Sequence, residues 1–281
     1  MKESKYLQQA VRLLIILATI LTVNIPSGKA DWIFNADYPN LKFRLLYSEH
    51  FSEFDESYNS NHNWWCGQTA LSSALSVFNF SPSPKEIHDK MLANKKIRSL
   101  GYREDNCGNP RGHYCAYPKH LAIATEVLTN GTLTAERKEI TSVTSFKNIV
   151  KKAIDQGNVL IVSSRSYYDY NYSSWVKIGH FYTIIGYIET KFPENFYILV
   201  RDPIYTEQSE KKTCFISFNQ VDSFNQVNFW EQLHILYLIS EIEKGIGYDG
   251  CFSIDEAWSH GWIKNGKSYK YIPIIEIKEK W

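Results

Sequence analysis

Three residues of this sequence, Cys66, His180 and Asp202, have the side chains for nucleophilic catalysis. A cysteine attacks as its thiolate, which the partial positive charge of a helix N-terminus and a nearby imidazolium both stabilise. After Cys66, the residues Ala70, Leu71, Ala74, Leu75 and Phe78 recur at the spacing of one helical face, so a helix is expected over 67–79 with Cys66 at its start. The small Gly67 would let a substrate carbonyl approach, and a backbone N–H at a helix start can donate to an oxyanion. Buried cysteines on helices are common, so Cys66 alone does not separate a nucleophile from core packing.

His180 adds the second group. Gly179 and His180 open a run of mostly β-forming residues, Phe181 to Ile185. The β-rich runs Phe181–Ile188 and Phe196–Arg201 flank the turn-forming Pro193, Glu194 and Asn195, so a hairpin is the economical reading. With its turn centred near Lys191, residue 180 lies opposite residue 202, which is Asp. Alternation puts His180 with Tyr182 and Ile184, and Asp202 with Val200 and Ile198. The carboxylate could then hold one ring nitrogen while the other faces a thiol. Taken singly, a histidine opening a strand is most often structural, and Asp-Pro often just ends a strand.

These groups need a scaffold. Ser83 and Pro84 start a helix over 84–94, and Pro118 starts another through Leu121, Ala124, Val127 and Leu128, ended by Asn130 and Gly131. Thr132–Ile140 reads as a strand. Ser145 is read as the cap of a helix carrying Phe146, Ile149, Val150, Ala153 and Ile154 on one face and stopped by Gly157. Val159–Ser163 is a buried strand, and Tyr167–Trp175 an aromatic polar loop. Ser217 and Gln220 predict a helix over 221–226, and His234–Ile239 a further strand. Asp31–Asn63 is an extended entry segment with at most short strands. Helices followed by antiparallel strands argue an α+β fold.

The segments Trp65–Leu71, Gly179–Tyr187 and Val200–Pro203 resemble the bacteriocin-processing (double-glycine) peptidases, in the chain order Cys, His, Asp. The resemblance covers roughly residues 60–235. It implies a papain-like α+β fold, with a nucleophile at a helix start packed on an antiparallel sheet that carries His and Asp. It also implies Cys66 as nucleophile, His180 as general acid and base, and Asp202 as the orienting carboxylate. Family members usually carry a glutamine shortly before the cysteine as a second oxyanion donor. Here Asn61 and Asn63 are the nearby amides, and Asn61 has the nearer spacing. Gln68 stands where the family often has proline, and could cap or donate.

Lys2, Lys5 and Arg12 lead into the apolar run Leu13–Val23, too short to span a bilayer, and Gly28 and Ala30 are the small residues a signal peptidase reads. Residues 1–30 therefore read as a signal peptide cleaved after Ala30, with a secreted or periplasmic product. Residues 31–240 form the peptidase domain and 241–281 an extension packed on it. Cleavage removes four basic and one acidic side chain, moving the formal charge from +1 to about −2, which suggests no polyanionic partner. The expected partner is a peptide or protein substrate, with no nucleic acid, and no membrane once the signal is removed.

Five cysteines make an odd number, and export favours pairing. Cys107 and Cys115 flank a turn-rich loop, Cys214 and Cys251 are then the remaining pair, and Cys66 is left over, although four cysteines allow three connectivities. A zinc site at Cys107, His113 and Cys115 fits no common ligand spacing, so no metal or cofactor is expected. Two other functions fit the same residues: a catalytically silent binding module using the aromatic loop, and an acyl or peptidyl transferase resembling phytochelatin synthases.

Overall fold

The computed structural model describes residues 32–38, 40–53, 65–103, 116–191, 194–206, 209–214, 229–263 and 270–280. The signal segment, Asn61, Cys107, His113, Cys115 and the helix expected over 221–226 lie outside the described residues. The expected α+β class is observed, as helices packed against one large antiparallel sheet.

The elements positioning the candidate site begin with strands β1 (Trp32–Tyr38) and β2 (Leu41–Leu46), paired antiparallel in the entry segment. Helix α1 (Cys66–Ser76) follows, then α2 (Pro84–Ala93), α3 (Lys95–Ser99) and α4 (Pro118–Leu128). Ser83 accepts from the Glu86 amide while Glu86 reaches back to the Ser83 amide, a capping box that fixes the start of α2. Past α4, Asn130 and Gly131 take positive φ, 49° and 74°, and turn the chain into β3 (Leu133–Ile140).

Helix α5 spans Val143–Asp155, and its cap is Ser142, not Ser145: the Ser142 hydroxyl accepts from the Ser145 amide. The apolar face Phe146, Val150, Ala153, Ile154 is buried as its spacing predicts. Strand β4 (Val159–Ser164) is buried throughout. The aromatic loop folds into a small separate hairpin of β5 (Tyr167–Asp169) and β6 (Ser174–Val176). The hairpin β7 (His180–Lys191) and β8 (Glu194–Arg201) comes next.

The run His234–Ile239 is not a strand. It lies inside helix α6 (Phe229–Glu243), where Ile235, Leu238, Ile239 and Ile242 are buried while Leu233 and Tyr237 are exposed. Those buried positions follow i, i+3, i+4, i+7, a helical period that a six-residue window read as β-rich conceals. Beyond it come β9 (Gly250–Ser253), α7 (Ile254–Ser259), β10 (Trp262–Ile263) and β11 (Lys270–Glu279). Strand β11 is not peripheral: it pairs with β3 and with β4. The sheet has nine strands among the described residues, ordered β1-β2-β7-β4-β11-β10, with β3 on β11 and β8 joining β7 to β9.

Helix α1 is buried on every side from Gly67 to Ser76. Its apolar residues face the core as expected, and two of its serines, Ser72 and Ser76, bond backbone carbonyls, while the Ser73 hydroxyl is buried without a partner among the described residues. Ser72 donates to Gln68 O (3.2 Å), Ser76 to Ser73 O (2.8 Å), and Ser48 to Ser73 O (2.7 Å). A polar helix face can be enclosed when its hydroxyls bond backbone carbonyls in this way. Thr183 on β7 donates to Ala70 O at 2.7 Å and ties helix to sheet. Among the described residues no helix is long and apolar enough to cross a membrane.

Candidate active site

Cys66 is the first residue of α1, half-buried, and the free cysteine among those described. Trp65 precedes it at the cap position, gives no side-chain cap, and stacks on His88 with ring centroids 4.7 Å apart. The amide of Cys66 therefore belongs to the first helical turn, whose N–H groups lack intrahelical acceptors. A Cβ on Gly67 would meet Ala116 Cβ at 3.0 Å and the Phe181 ring at 3.5 Å. The glycine thus lets α1 pack closely against the start of α4 and against β7, rather than making room for a substrate carbonyl. Gln68 is no cap either: it is buried and donates to the Tyr102 hydroxyl (2.8 Å), which also bonds His88 Nδ1 (2.6 Å).

His180 opens β7, and Asp202 follows β8 directly; they are 4% and 2% exposed. His180 Nε2 and Asp202 Oδ1 are 2.7 Å apart. The Cys66 side chain interacts with the imidazole and raises its pKa, and the nitrogen that Asp202 leaves free is Nδ1. The expected direct opposition of 180 and 202 is corrected by the strand register. The ladder runs from Lys191↔Glu194 to Gly186↔Leu199, shifts between Ile184 and Gly186, and ends at Ile184↔Val200 and Thr183↔Arg201. Extended by one residue, it puts Asp202 opposite Tyr182. His180 and Asp202 are therefore diagonal neighbours on one face.

The irregularity at Ile184–Gly186 sets that face. Without it the ladder would put Asp202 opposite Thr183, whose side chain points to α1, and the carboxylate would face away from His180. Gly186 allows the close packing there, because a Cβ would collide with the Arg44 carbonyl oxygen.

Burial opposes charge on His180, but the Asp202 carboxylate, its hydrogen bond and the contact with Cys66 outweigh it, so the pKa stands well above the ordinary 6.5. Asp202 is itself held from several sides. Tyr170 donates to Oδ2 (3.0 Å) and the Ile204 amide to Oδ1 (3.2 Å), while the Asp202 amide donates to Asp249 Oδ2 (2.9 Å). Asp249, 1% exposed, also accepts from Arg201 Nη1 (2.9 Å) and faces His50 Nδ1 (3.0 Å). Burial alone would raise its pKa, but the His50 hydrogen bond, the Arg201 guanidinium and the Asp202 amide bring it below the usual carboxylate value. Arg201 in turn donates to Ser48 O through Nη2 (2.6 Å) and Nε (3.1 Å).

Sequence reasoning missed Asp249, Tyr170 and Glu53. Asp249 sits just before β9 with no motif around it; its role follows from β9 pairing with β8, Val200↔Gly250, which no local pattern encodes. Tyr170 lies in the aromatic loop singled out as a binding element, and the structure uses it to support Asp202. Burial pushes the Glu53 carboxyl up to about 7, with His180 pulling it down and Asp202 adding to the rise. The disulfide Cys214–Cys251, Cα atoms 5.4 Å apart, ties the segment after β8 to β9 and bears out the pairing expected for those two cysteines.

A family model described as "Peptidase_C39 like family" matches residues 52–234. Among solved structures, one titled "Crystal structure of UfSP from C.elegans" is similar at a TM-score of 0.42 and 12% identity, over 92% of this chain and 36% of that one. The chain thus spans little more than a third of that protein. No curated protein sequence matches.

Proposed function

The chain belongs to the Peptidase_C39 like family, and from that premise we propose that it is an exported cysteine peptidase or amidase that hydrolyses a peptide or isopeptide bond through Cys66, His180 and Asp202. The observation that carries the proposal is one imidazole bonded on one side to a buried carboxylate, at 2.7 Å, and on the other to a thiol at a helix start.

The imidazolium stabilises the thiolate, which attacks the scissile carbonyl. The Cys66 amide donates to the resulting oxyanion, and Asn61 is proposed as the second donor. His180 gives its proton to the leaving amine as the thioester forms on Cys66. It then takes a proton from the water that attacks the thioester, releasing the acid and restoring the thiolate and imidazolium. Asp202 holds the ring in the orientation that presents Nδ1 to sulfur throughout.

Export after cleavage at Ala30 is part of the proposal, and the Cys214–Cys251 disulfide supports an oxidising compartment. Sequencing the mature N-terminus tests it. For the chemistry, iodoacetamide should label Cys66 much faster than any other thiol at neutral pH, and slowly in His180→Ala. Cys66→Ser should hydrolyse no member of a fluorogenic peptide panel that the wild type cleaves. Equal, sluggish labelling of every thiol would sink the proposal.

A further inference from the structure

Among the described residues, the buried carboxylates around the reactive pair have donors of their own, with one exception. Asp202 accepts from His180, Tyr170 and the Ile204 amide, and Asp249 from Arg201 and the Asp202 amide with His50 beside it. Glu53 differs. Its amide donates to Pro203 O (2.8 Å), and Ser52 Oγ donates to the same carbonyl (3.3 Å). These bonds clip residues 52–53 to the chain directly after Asp202. The Glu53 Oε2 atom is shielded from water and has no hydrogen-bond partner.

The groups that act on Glu53 electrostatically are His180, Asp202 and Tyr167, and the Tyr167 ring lies 5.8 Å from the His180 ring. His180 Nε2 is bonded to Asp202, and the ring also interacts with Cys66. With His180 and Asp202 offsetting each other, Glu53 is the uncompensated acid of the site. A buried acceptor left without a donor costs about 1–3 kcal/mol, more when ionised, and a ligand that brings the donor removes that cost.

We propose that Glu53 is a specificity-determining residue whose carboxylate receives a cationic group of the peptide substrate, an amine or a guanidinium, next to the bond presented to Cys66. This rests on the reading of Cys66 as the nucleophile. Because the Glu53 proton is held up to about 7, the receptor ionises through the neutral range, and a cation bound beside it favours release of that proton.

The test needs no identified substrate. Cys66 in the full chain is modified with three methanethiosulfonates of similar size: cationic aminoethyl, neutral methyl and anionic sulfonatoethyl. Cys66→Ser supplies the background. Titration of the thiol affects all three rates and His180 is the same in both proteins, so the difference in the cationic-to-neutral ratio between wild type and Glu53→Gln isolates Glu53. That ratio should be about tenfold lower in Glu53→Gln than in wild type and intermediate in Glu53→Asp. In the wild type alone it should rise as pH is raised through about 7, a measurement that stands even if a variant folds poorly. An unchanged ratio in Glu53→Gln, or a flat wild-type ratio across that range, would overturn the inference and leave the nucleophile reading intact. Slow modification of Cys66 by all three reagents would overturn both.

Discussion

His180 Nε2 lies 2.7 Å from Asp202 Oδ1, although the β7–β8 ladder points Asp202 at Tyr182; the one-residue shift between Ile184 and Gly186 puts the two side chains on the same face. Gly186→Ala should therefore do more than crowd the core. The new methyl meets the Arg44 carbonyl, and relief requires moving β2 or re-registering β7. Urea denaturation should show a loss of about 2–3 kcal/mol. Turnover per folded molecule should fall at least about tenfold, because a re-registered hairpin separates the pair.

Asp202→Asn and Tyr170→Phe separate orientation from support. The first removes the acceptor that keeps His180 charged, and kcat should fall by about 10²- to 10⁴-fold with the fold retained. The second removes one donor to Asp202 Oδ2. Its expected cost is about three- to tenfold in kcat/KM, with the acidic limb of the pH profile displaced.

Stability should carry a pH signature from Glu53. Its carboxyl binds a proton more tightly folded, at about 7, than at its ordinary 4.5. The folded state is therefore favoured at low pH and loses stability as pH rises from about 4.5 through about 7. Glu53→Gln removes that loss, so its melting temperature relative to wild type should be unchanged near pH 4 and higher above pH 7. The gain should be on the order of 1 kcal/mol, below the full shift because part of the Glu53 residue stays at the surface although its Oε2 is shielded. His180 also favours the folded state at low pH: its contribution is complete below about 6.5 and fades as pH passes its raised folded value. Melting temperatures of wild type and Glu53→Gln that run parallel across pH would contradict the Glu53 signature.

The Cys214–Cys251 bond closes a segment of sequence separation 37. Its removal by Cys214→Ser should cost about 3–4 kcal/mol in denaturant unfolding. Activity should fall before global unfolding, since β9 brings Asp249 to the Asp202 amide. Asp249→Ala should reproduce the loss of activity and destabilise by about 3–5 kcal/mol, leaving the Arg201 guanidinium with one buried partner fewer.

Much of this was legible in the sequence where the signal is local. The apolar repeat after Cys66, the Ser83-Pro84 cap and the Asn130-Gly131 stop each act within one or two turns, and each marks a helix within a few residues of the observed ends. Ser142 competed with Ser145 for one helix start, and a near-equivalent serine three residues away is not resolved by pattern. What depended on distant pairing was not legible. The diagonal geometry of His180 and Asp202 follows from a bulge, the support from Asp249 follows from β9 joining β8, and the helical state of 234–239 follows from burial of a stripe longer than the window read.

The placement of β11 between β3 and β4 bears on how the molecule is made. Leu133–Ile140 and Val159–Ser164 cannot complete their pairing until residues 270–279 have been synthesised, more than a hundred positions later. Such non-local closure is slow and leaves strand edges open meanwhile. His180 stands on β7, which pairs with β4, so the base is fixed only as that sheet completes. A nascent chain would thus carry Cys66 long before the sheet that carries His180 is complete.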